Sequence, residues 1–405
     1  MEITRMPQKP KEIREVYMDN AAATKMDASV FDVFMKKSKE AYANPSSIHS
    51  PGCMARKGVE VARGDISRIL HTQPDTILFT SGATESCNLA ISGVLSGDPG
   101  HVIAVRTEHH AVLRPIAAAE KRGWSVTYID VDEYGRVAVQ DIARAITDKT
   151  ILVCVMYANN EMGAIAPIAE IGKTILKWRK KQQTVFPYFF TDACQIPGNA
   201  TLDVEKLHVD LMTLSSAKIH GPKGVGLLYK RRGVVVSPQL LGGGQEFGLR
   251  AGTEHGAAIV AFAKALEVAT NTEGNQCAQI REVRNYLWQC IVKNIPGAHL
   301  HGPTIETNGD EARLANNLLI SFEGIEGEVL QLYLDAYGIY VGVGAACTVE
   351  ESEKSHVLEA MGLSADVANT TIRWSMSKYT TNEDVEYVMH YLPGVVETIR
   401  LSHDI

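Results

Sequence analysis

Lys218 stands in the run Ser215-Ser216-Ala217-Lys218-Ile219-His220-Gly221-Pro222-Lys223-Gly224, directly after the apolar stretch Leu211 to Leu214. A lysine leaving a buried strand is partly desolvated, so its pKa falls and its amine can form a Schiff base. The plainer alternative is a surface lysine beside a turn. Asp192 ends another apolar stretch, in Thr191-Asp192-Ala193-Cys194-Gln195. An acid there is costly unless paired. A protonated pyridine nitrogen is one partner that keeps it ionised; a salt bridge or helix cap is the other. Thr80-Ser81-Gly82-Ala83-Thr84-Glu85 leads small residues into a helical run. Amides at a helix start favour an anion such as phosphate, although a Ser or Thr N-cap has the same composition. His109, in Thr107-Glu108-His109-His110, can stack on a flat ring or move protons, but a lone histidine is more often structural. The amides of Asn159-Asn160 can bond a phenolic oxygen or cap a turn. Cys347 closes Val341-Gly342-Val343-Gly344-Ala345-Ala346-Cys347 and precedes the polar Thr348 to Lys354. This composition predicts a mobile surface loop, in which a thiol can swing between substrate and acceptor. An incidental free cysteine is the competing reading.

These residues need elements that bring them together. Seven runs read as strands: Ile77 to Thr80, Val102 to Val105, Val126 to Ile129, Ile151 to Tyr157, Tyr188 to Thr191, Leu211 to Leu214 and Val225 to Tyr229. Several are apolar on consecutive positions, as in strands covered on both faces. Helical stretches such as Met54 to Leu70 and Ile142 to Ile146 lie between them. The alternation predicts an α/β layer with a mostly parallel sheet, in which ligands bind beyond the carboxyl ends of the strands. The candidate groups each follow a strand, in order, and that joint occurrence is much rarer by chance than any one of them. Gly242-Gly243-Gly244, with Gly248 and Gly252, breaks the pattern. A helical stretch from His255 to about Ala269 then predicts a connector to a second domain, whose remainder reads helix, strand, loop, helix.

The chain as a whole sets bounds. Its 405 residues suit two domains, and 45% apolar residues allow a sizeable core. A formal charge of -7 lacks the basic excess of a nucleic-acid binder. The seven cysteines include no CxxC pair. That argues against a disulfide framework or zinc site and for a reduced, cytoplasmic setting. Apart from Cys347 they read mostly as small buried hydrophobes. The N-terminal stretch lacks the apolar core of a secretory signal, and no run approaches the ~18 apolar residues that span a bilayer. A soluble protein is expected.

Together these motifs resemble the cysteine desulfurases, a branch of the class V aminotransferase-like pyridoxal-phosphate enzymes of fold type I. The resemblance runs from Tyr17 to about Thr381. Besides the strand-end motifs it includes Met18-Asp19-Asn20-Ala21-Ala22-Ala23-Thr24, Asn44-Pro45-Ser46-Ser47-Ile48-His49, Arg250-Ala251-Gly252-Thr253, Gly344-Ala345-Ala346-Cys347-Thr348 and Ile372-Arg373-Trp374-Ser375. It implies a large domain over residues 16–265 with a mostly parallel seven-stranded sheet. A smaller α+β domain over 266–405 would carry Cys347, with residues 1–15 packed on it. Lys218 would hold the cofactor, pyridoxal 5'-phosphate. Asp192 would pair with its ring nitrogen, Gln195 would bond its phenolic oxygen and His109 would stack on its ring. Ala83, Thr84 and Ser215 would bind its phosphate. Thr253 would reach the phosphate of a neighbouring subunit, which implies a homodimer. Asn160 and Arg373 would hold the substrate carboxylate, since the planar fork of an arginine matches a carboxylate bidentately.

The implied activity converts L-cysteine to L-alanine, with Lys218 moving the Cα proton. Cys347 would take the sulfur as a persulfide for an acceptor, in iron–sulfur scaffolds, tRNA thiolation or cofactor synthesis. The thiolate is the reactive form, with an unperturbed pKa near ~8.5, so activity is expected to rise from neutral to mildly alkaline pH. An aminotransferase or selenocysteine lyase on the same scaffold, or a non-catalytic homologue, are the rival expectations. Three departures from the family pattern stand out. Ala217 replaces a histidine that assists the phosphate, with His220 nearby. Tyr157 stands where the family has a histidine. The segment after Cys347 carries Glu350, Glu351 and Glu353, yet keeps the length of the long-loop branch up to Ser355-His356-Val357.

Overall fold

Apolar side chains on consecutive positions require cover on both faces of a sheet, and the computed structural model shows how it is provided. It describes residues 7–270, 275–305, 312–343 and 355–403. Cys347 and the glutamates that follow it lie outside the described residues. In chain order the strands are β1 (Val16–Met18), β2 (Ile77–Thr80), β3 (His101–Val105), β4 (Ser125–Ile129), β5 (Thr150–Cys154) and β6 (Tyr188–Asp192). They continue with β7 (Leu211–Ser215), β8 (Gly226–Lys230), β9 (Ala298–His301), β10 (Asn317–Phe322), β11 (Ile339–Val343) and β12 (Thr371–Ser375).

One sheet has the order β2-β8-β7-β6-β5-β3-β4. β8 is antiparallel to β2 and β7, and the other neighbours are parallel, so the mostly parallel seven-stranded sheet is borne out. Along β3, Val102 and Ala104 enter one core while Ile103 and Val105 enter the other. Phe190 and Phe189 divide β6 in the same way. Burying each large side chain contributes roughly 1.5–3 kcal/mol, so neither face can be left to water. Helices Ala83–Val94 and His110–Glu120 cover one face. Helices Ser50–Ile69, Ile168–Gln182 and Gly256–Thr270 cover the other. The helix Ser50–Ile69 begins a turn before the expected Met54. Pro51 sits in its first turn, where no backbone N–H is needed, and His49 Nδ1 accepts from the Gly52 amide at 3.2 Å.

The C-terminal part is richer in strands than the expected helix, strand, loop, helix. A second sheet has the order β1-β11-β12-β10-β9, with β1 parallel to β11 and the other pairs antiparallel. Short apolar runs such as Leu318-Leu319-Ile320 have no period that separates a strand from a buried helix. Helices Asn275–Asn294 and Asn382–His403 bring Leu287, Ile291, Val388 and Leu392 to this sheet's core. Val16–Met18, which the sequence reading puts at the head of the first domain, hydrogen-bonds into this smaller sheet instead. Pro7 and Arg14 lie on the same unit: Tyr337 Oη donates to the Pro7 carbonyl at 2.7 Å, and Arg14 pairs with Asp384 at 2.5 Å. After β1 the chain crosses between the sheets. Asn20 Nδ2 donates to the Ser375 carbonyl of β12 at 2.8 Å, and the Thr24 amide donates to the Ala217 carbonyl at 3.0 Å. Among the described residues no helix is long and apolar enough to cross a membrane.

Candidate active site

A cavity of about 450 Å³ opens where the carboxyl ends of β2, β3, β5, β6 and β7 face β12. Lys218 reaches it from the short turn after β7, and its Nζ donates to the carbonyls of Ala21 and Ala22 at 2.8 and 2.5 Å. Asp192, the last residue of β6, is 4% exposed. Its Oδ1 accepts from the Cys194 amide at 3.0 Å, while among the described residues its Oδ2 has only the weak thiol donor of Cys87 at 4.0 Å. His109 caps the helix His110–Glu120, its Nδ1 accepting from the Ala111 amide at 3.0 Å. That bond assigns the ring proton to Nε2. Burial lowers the imidazole's pKa, and Lys218 and His356 lower it further against the opposing pull of Asp192. Gln195 lines the wall with its Nε2 on the Ala21 carbonyl at 3.0 Å.

The same cavity is lined by Ser215, Ala217 and the first turn of the helix Ala83–Val94, with Ala83 and Thr84. Glu85 accepts from the Ser81 amide at 2.8 Å and pairs with Arg250 at 2.8 Å. Arg373 enters from β12. Its Nη2 lies 2.7 Å from Asp19 Oδ1, and its Nη1 donates to the Asn160 carbonyl at 3.2 Å. Its Nε is buried without a partner among the described residues. Gly342 of β11 is opposite: a Cβ there would meet Asp19 Oδ1 at 2.7 Å and Arg373 Nη2 at 2.9 Å. Thr253 is exposed and does not line this cavity. The segment that carries Cys347 is flanked by Val343, next to the Gly342 that pairs with Arg373, and by Ser355, which lines the cavity.

The model of the class V aminotransferases matches residues 16–388. The cysteine desulfurase IscS of Dictyoglomus turgidum is 40% identical over 390 residues, 96% of this chain and 96% of that protein. This chain belongs to the class V aminotransferase family, among its cysteine desulfurases. A solved NifS-like protein superposes with a TM-score of 0.86 at 35% identity, covering 95% of this chain and 100% of that one. The solved structure of SspA in complex with cysteine does so with a TM-score of 0.76 at 30% identity, covering 90% and 100%.

The enzymes of this family work with pyridoxal phosphate, and the cavity fits it. The buried Asp192 carboxylate forms no ion pair with a described basic side chain and has room for a ring N–H. The first turn of Ala83–Val94 offers backbone amides towards a phosphate. Lys218 lines the same cavity.

The departures from the family pattern have structural outcomes. His220 does not take the place of the histidine replaced by Ala217. Its Nδ1 bonds the Lys25 carbonyl at 2.8 Å and its ring meets Tyr379 edge-on at 5.3 Å, so it lines a separate small cavity behind Lys218. Tyr157 is buried in the main core, away from the cavity, and burial pushes its hydroxyl up to about 12. Cys87, Cys154 and Cys194 are buried, and burial pushes their thiols well up. Cys53 is exposed and Cys277 and Cys290 are half-buried, which corrects the expectation of mostly buried packing.

Sequence reasoning missed two acids in the walls. Glu108 is fully buried: its Oε1 accepts from the Met156 amide at 2.5 Å and its Oε2 has no partner among the described residues. Burial pushes it up to about 8. Glu161 accepts from Ser355 Oγ at 2.6 Å. Burial pushes it up to about 7, against the Ser355 hydrogen bond and the charge of Arg373. An acid beside a strand end was the available signal, but only the fold supplies the partner.

Proposed function

We propose that this chain is a pyridoxal-phosphate-dependent cysteine desulfurase that turns L-cysteine into L-alanine and loads the sulfur on Cys347. The reading is carried by one observation: Lys218, Asp192 and His109 converge on a single cavity whose opposite wall presents Arg373. Pyridoxal phosphate, when bound, supplies the electron sink for charge developing at the substrate Cα. Asp192 would hold the proton on the ring nitrogen, Gln195 would bond the phenolic oxygen and His109 would cover the ring, while Ala83, Thr84 and Ser215 would take the phosphate. Arg373 and Asn160 hold the substrate carboxylate, which fixes the Cα–H bond towards Lys218. The Lys218 amine takes that proton and returns it as a general acid. The Cys347 thiolate forms an S–S bond as the substrate Cβ–S bond breaks, and Cβ gains a proton to become the methyl of alanine.

The functional unit is a homodimer. Ile48, Leu240, Leu241 and Phe247 form exposed apolar surface next to the segment bearing Thr253, and a second copy would cover it while Thr253 completes the neighbour's phosphate site. The setting is cytoplasmic and the persulfide passes to an acceptor protein such as an iron–sulfur scaffold. Changing Cys347→Ser tests the assignment. Sulfide release from L-cysteine should fall to background while the cofactor stays bound; a retained rate would point to a lyase or aminotransferase that does not use this thiol.

A further inference from the structure

Glu161 is held in place from both sides. Asn159 Oδ1 accepts from its amide at 2.8 Å, and Asn317 Nδ2 donates to its carbonyl at 3.0 Å. These bonds hold its backbone; its side chain lines the cavity with Arg373 and Ser355, and the residue is 7% exposed. Its acceptor bond comes from a neutral hydroxyl, Ser355 Oγ, at 2.6 Å. Ser355 in turn caps the helix His356–Ala360, its Oγ accepting from the Leu358 amide.

Arg373 already carries Asp19 as an ion-pair partner at 2.7 Å. When a substrate carboxylate docks there, three carboxyl groups share the charge of one buried guanidinium: Asp19 by direct pairing, the substrate by docking, and Glu161 from the same cavity wall through the field of Arg373. Like charges crowded around one cation cannot all stay ionised, and the group with least solvent and no cation of its own protonates first. Asp19 keeps its direct ion pair and the substrate takes the remaining N–H positions of Arg373. We propose that Glu161 is a positioning residue that takes up a proton from solvent when an amino-acid carboxylate docks on Arg373, so that substrate occupancy changes the hydrogen bond holding Ser355 at the head of its helix. This rests on the reading of Arg373 as the carboxylate site. Burial that already lifts Glu161 to about 7 places the exchange near neutral pH. Among the described residues, the other titratable or charged groups near it are Arg373 from β12, Asp19 paired with Arg373, His356 beside Ser355, and Glu108 and His109, which line the same cavity.

The test is calorimetric titration of the holoenzyme with L-alanine, the product, in buffers of different ionisation enthalpy. The difference in proton count between wild type and Glu161→Gln reads this one carboxyl, because the amide keeps an acceptor for Ser355 but cannot titrate. Near pH 7 the wild type should take up about half a proton more than the variant. Ser355→Ala removes a bond that favours the ionised form, so its uptake should centre at higher pH. Equal proton counts in wild type and Glu161→Gln would overturn the proposal while the docking reading stands. Unchanged L-alanine affinity in Arg373→Gln would overturn the docking reading, and the proposal with it.

Discussion

Lys218, Asp192 and His109 sit at or just beyond the ends of strands in the larger sheet, whereas Arg373 lies inside β12 and is aimed by Asp19. On the first wall each group is placed by its own strand and the turn that follows. On the second wall groups are placed by other side chains: Asp19 on Arg373, Ser355 on Glu161. The difference suggests a division of labour. In the proposed function the larger sheet carries the groups that would move protons and bind the cofactor, while Arg373 of the smaller sheet meets Asp19 and lines the cavity with Glu161, which follows β5 of the larger one.

The largest effect belongs to the first wall. Lys218→Ala should lower desulfuration by about 10⁴-fold or more, since it removes both the covalent anchor and the Cα base. A spectrum showing unattached cofactor would accompany the lost alanine production. On the second wall, Arg373→Gln should cut kcat/KM by about 10- to 100-fold, mostly through KM, as charged hydrogen bonds of about 1.5–3 kcal/mol are lost. An equal fall in kcat instead would move Arg373 to the chemical step and break the contrast.

The strand-end groups were legible in the sequence because consecutive apolar residues marked the parallel strands and polar residues marked their ends. In the carboxylate receptor, Arg373 and Asn160 were reached only through the family resemblance, and their neighbours Asp19, Glu161 and Ser355 were given no role. Arg373 and Asp19 are 354 positions apart and Glu161 and Ser355 are 194 apart. What brings the first pair together is the pairing of β1 with β11 and β11 with β12. A three-residue strand such as Val16–Met18 carries too little periodicity to show that pairing. His220 fails as a stand-in for a subtler reason: its positive φ of 61° turns the ring towards Lys25, away from the cofactor side.

Glu108 gives a smaller effect, on stability. Its folded value of about 8, against an ordinary 4.5, means that the native state keeps a proton the unfolded chain releases above the carboxylate range. The stability this contributes is complete below that range and is lost as pH rises towards 8, at up to about 1.4 kcal/mol per pH unit. In Glu108→Gln this decline should disappear, so the Tm advantage of the variant should grow from about pH 5 to pH 8. Parallel Tm curves would show that Glu108 is ionised in the native state. Ala217→His is the mildest change. A new donor beside the phosphate end should slow cofactor loss on dialysis by about 3- to 10-fold, the worth of one hydrogen bond; unchanged loss would mean the phosphate is already fully held.

The claim that Lys218 and Cys347 serve one substrate is tested most directly by peptide mass spectrometry of the holoenzyme after brief incubation with L-cysteine. The account predicts one added sulfur on the peptide containing Cys347, absent from Lys218→Ala treated alike. Alanine formed with no sulfur on that peptide, or with the adduct on the exposed Cys53 instead, would contradict it.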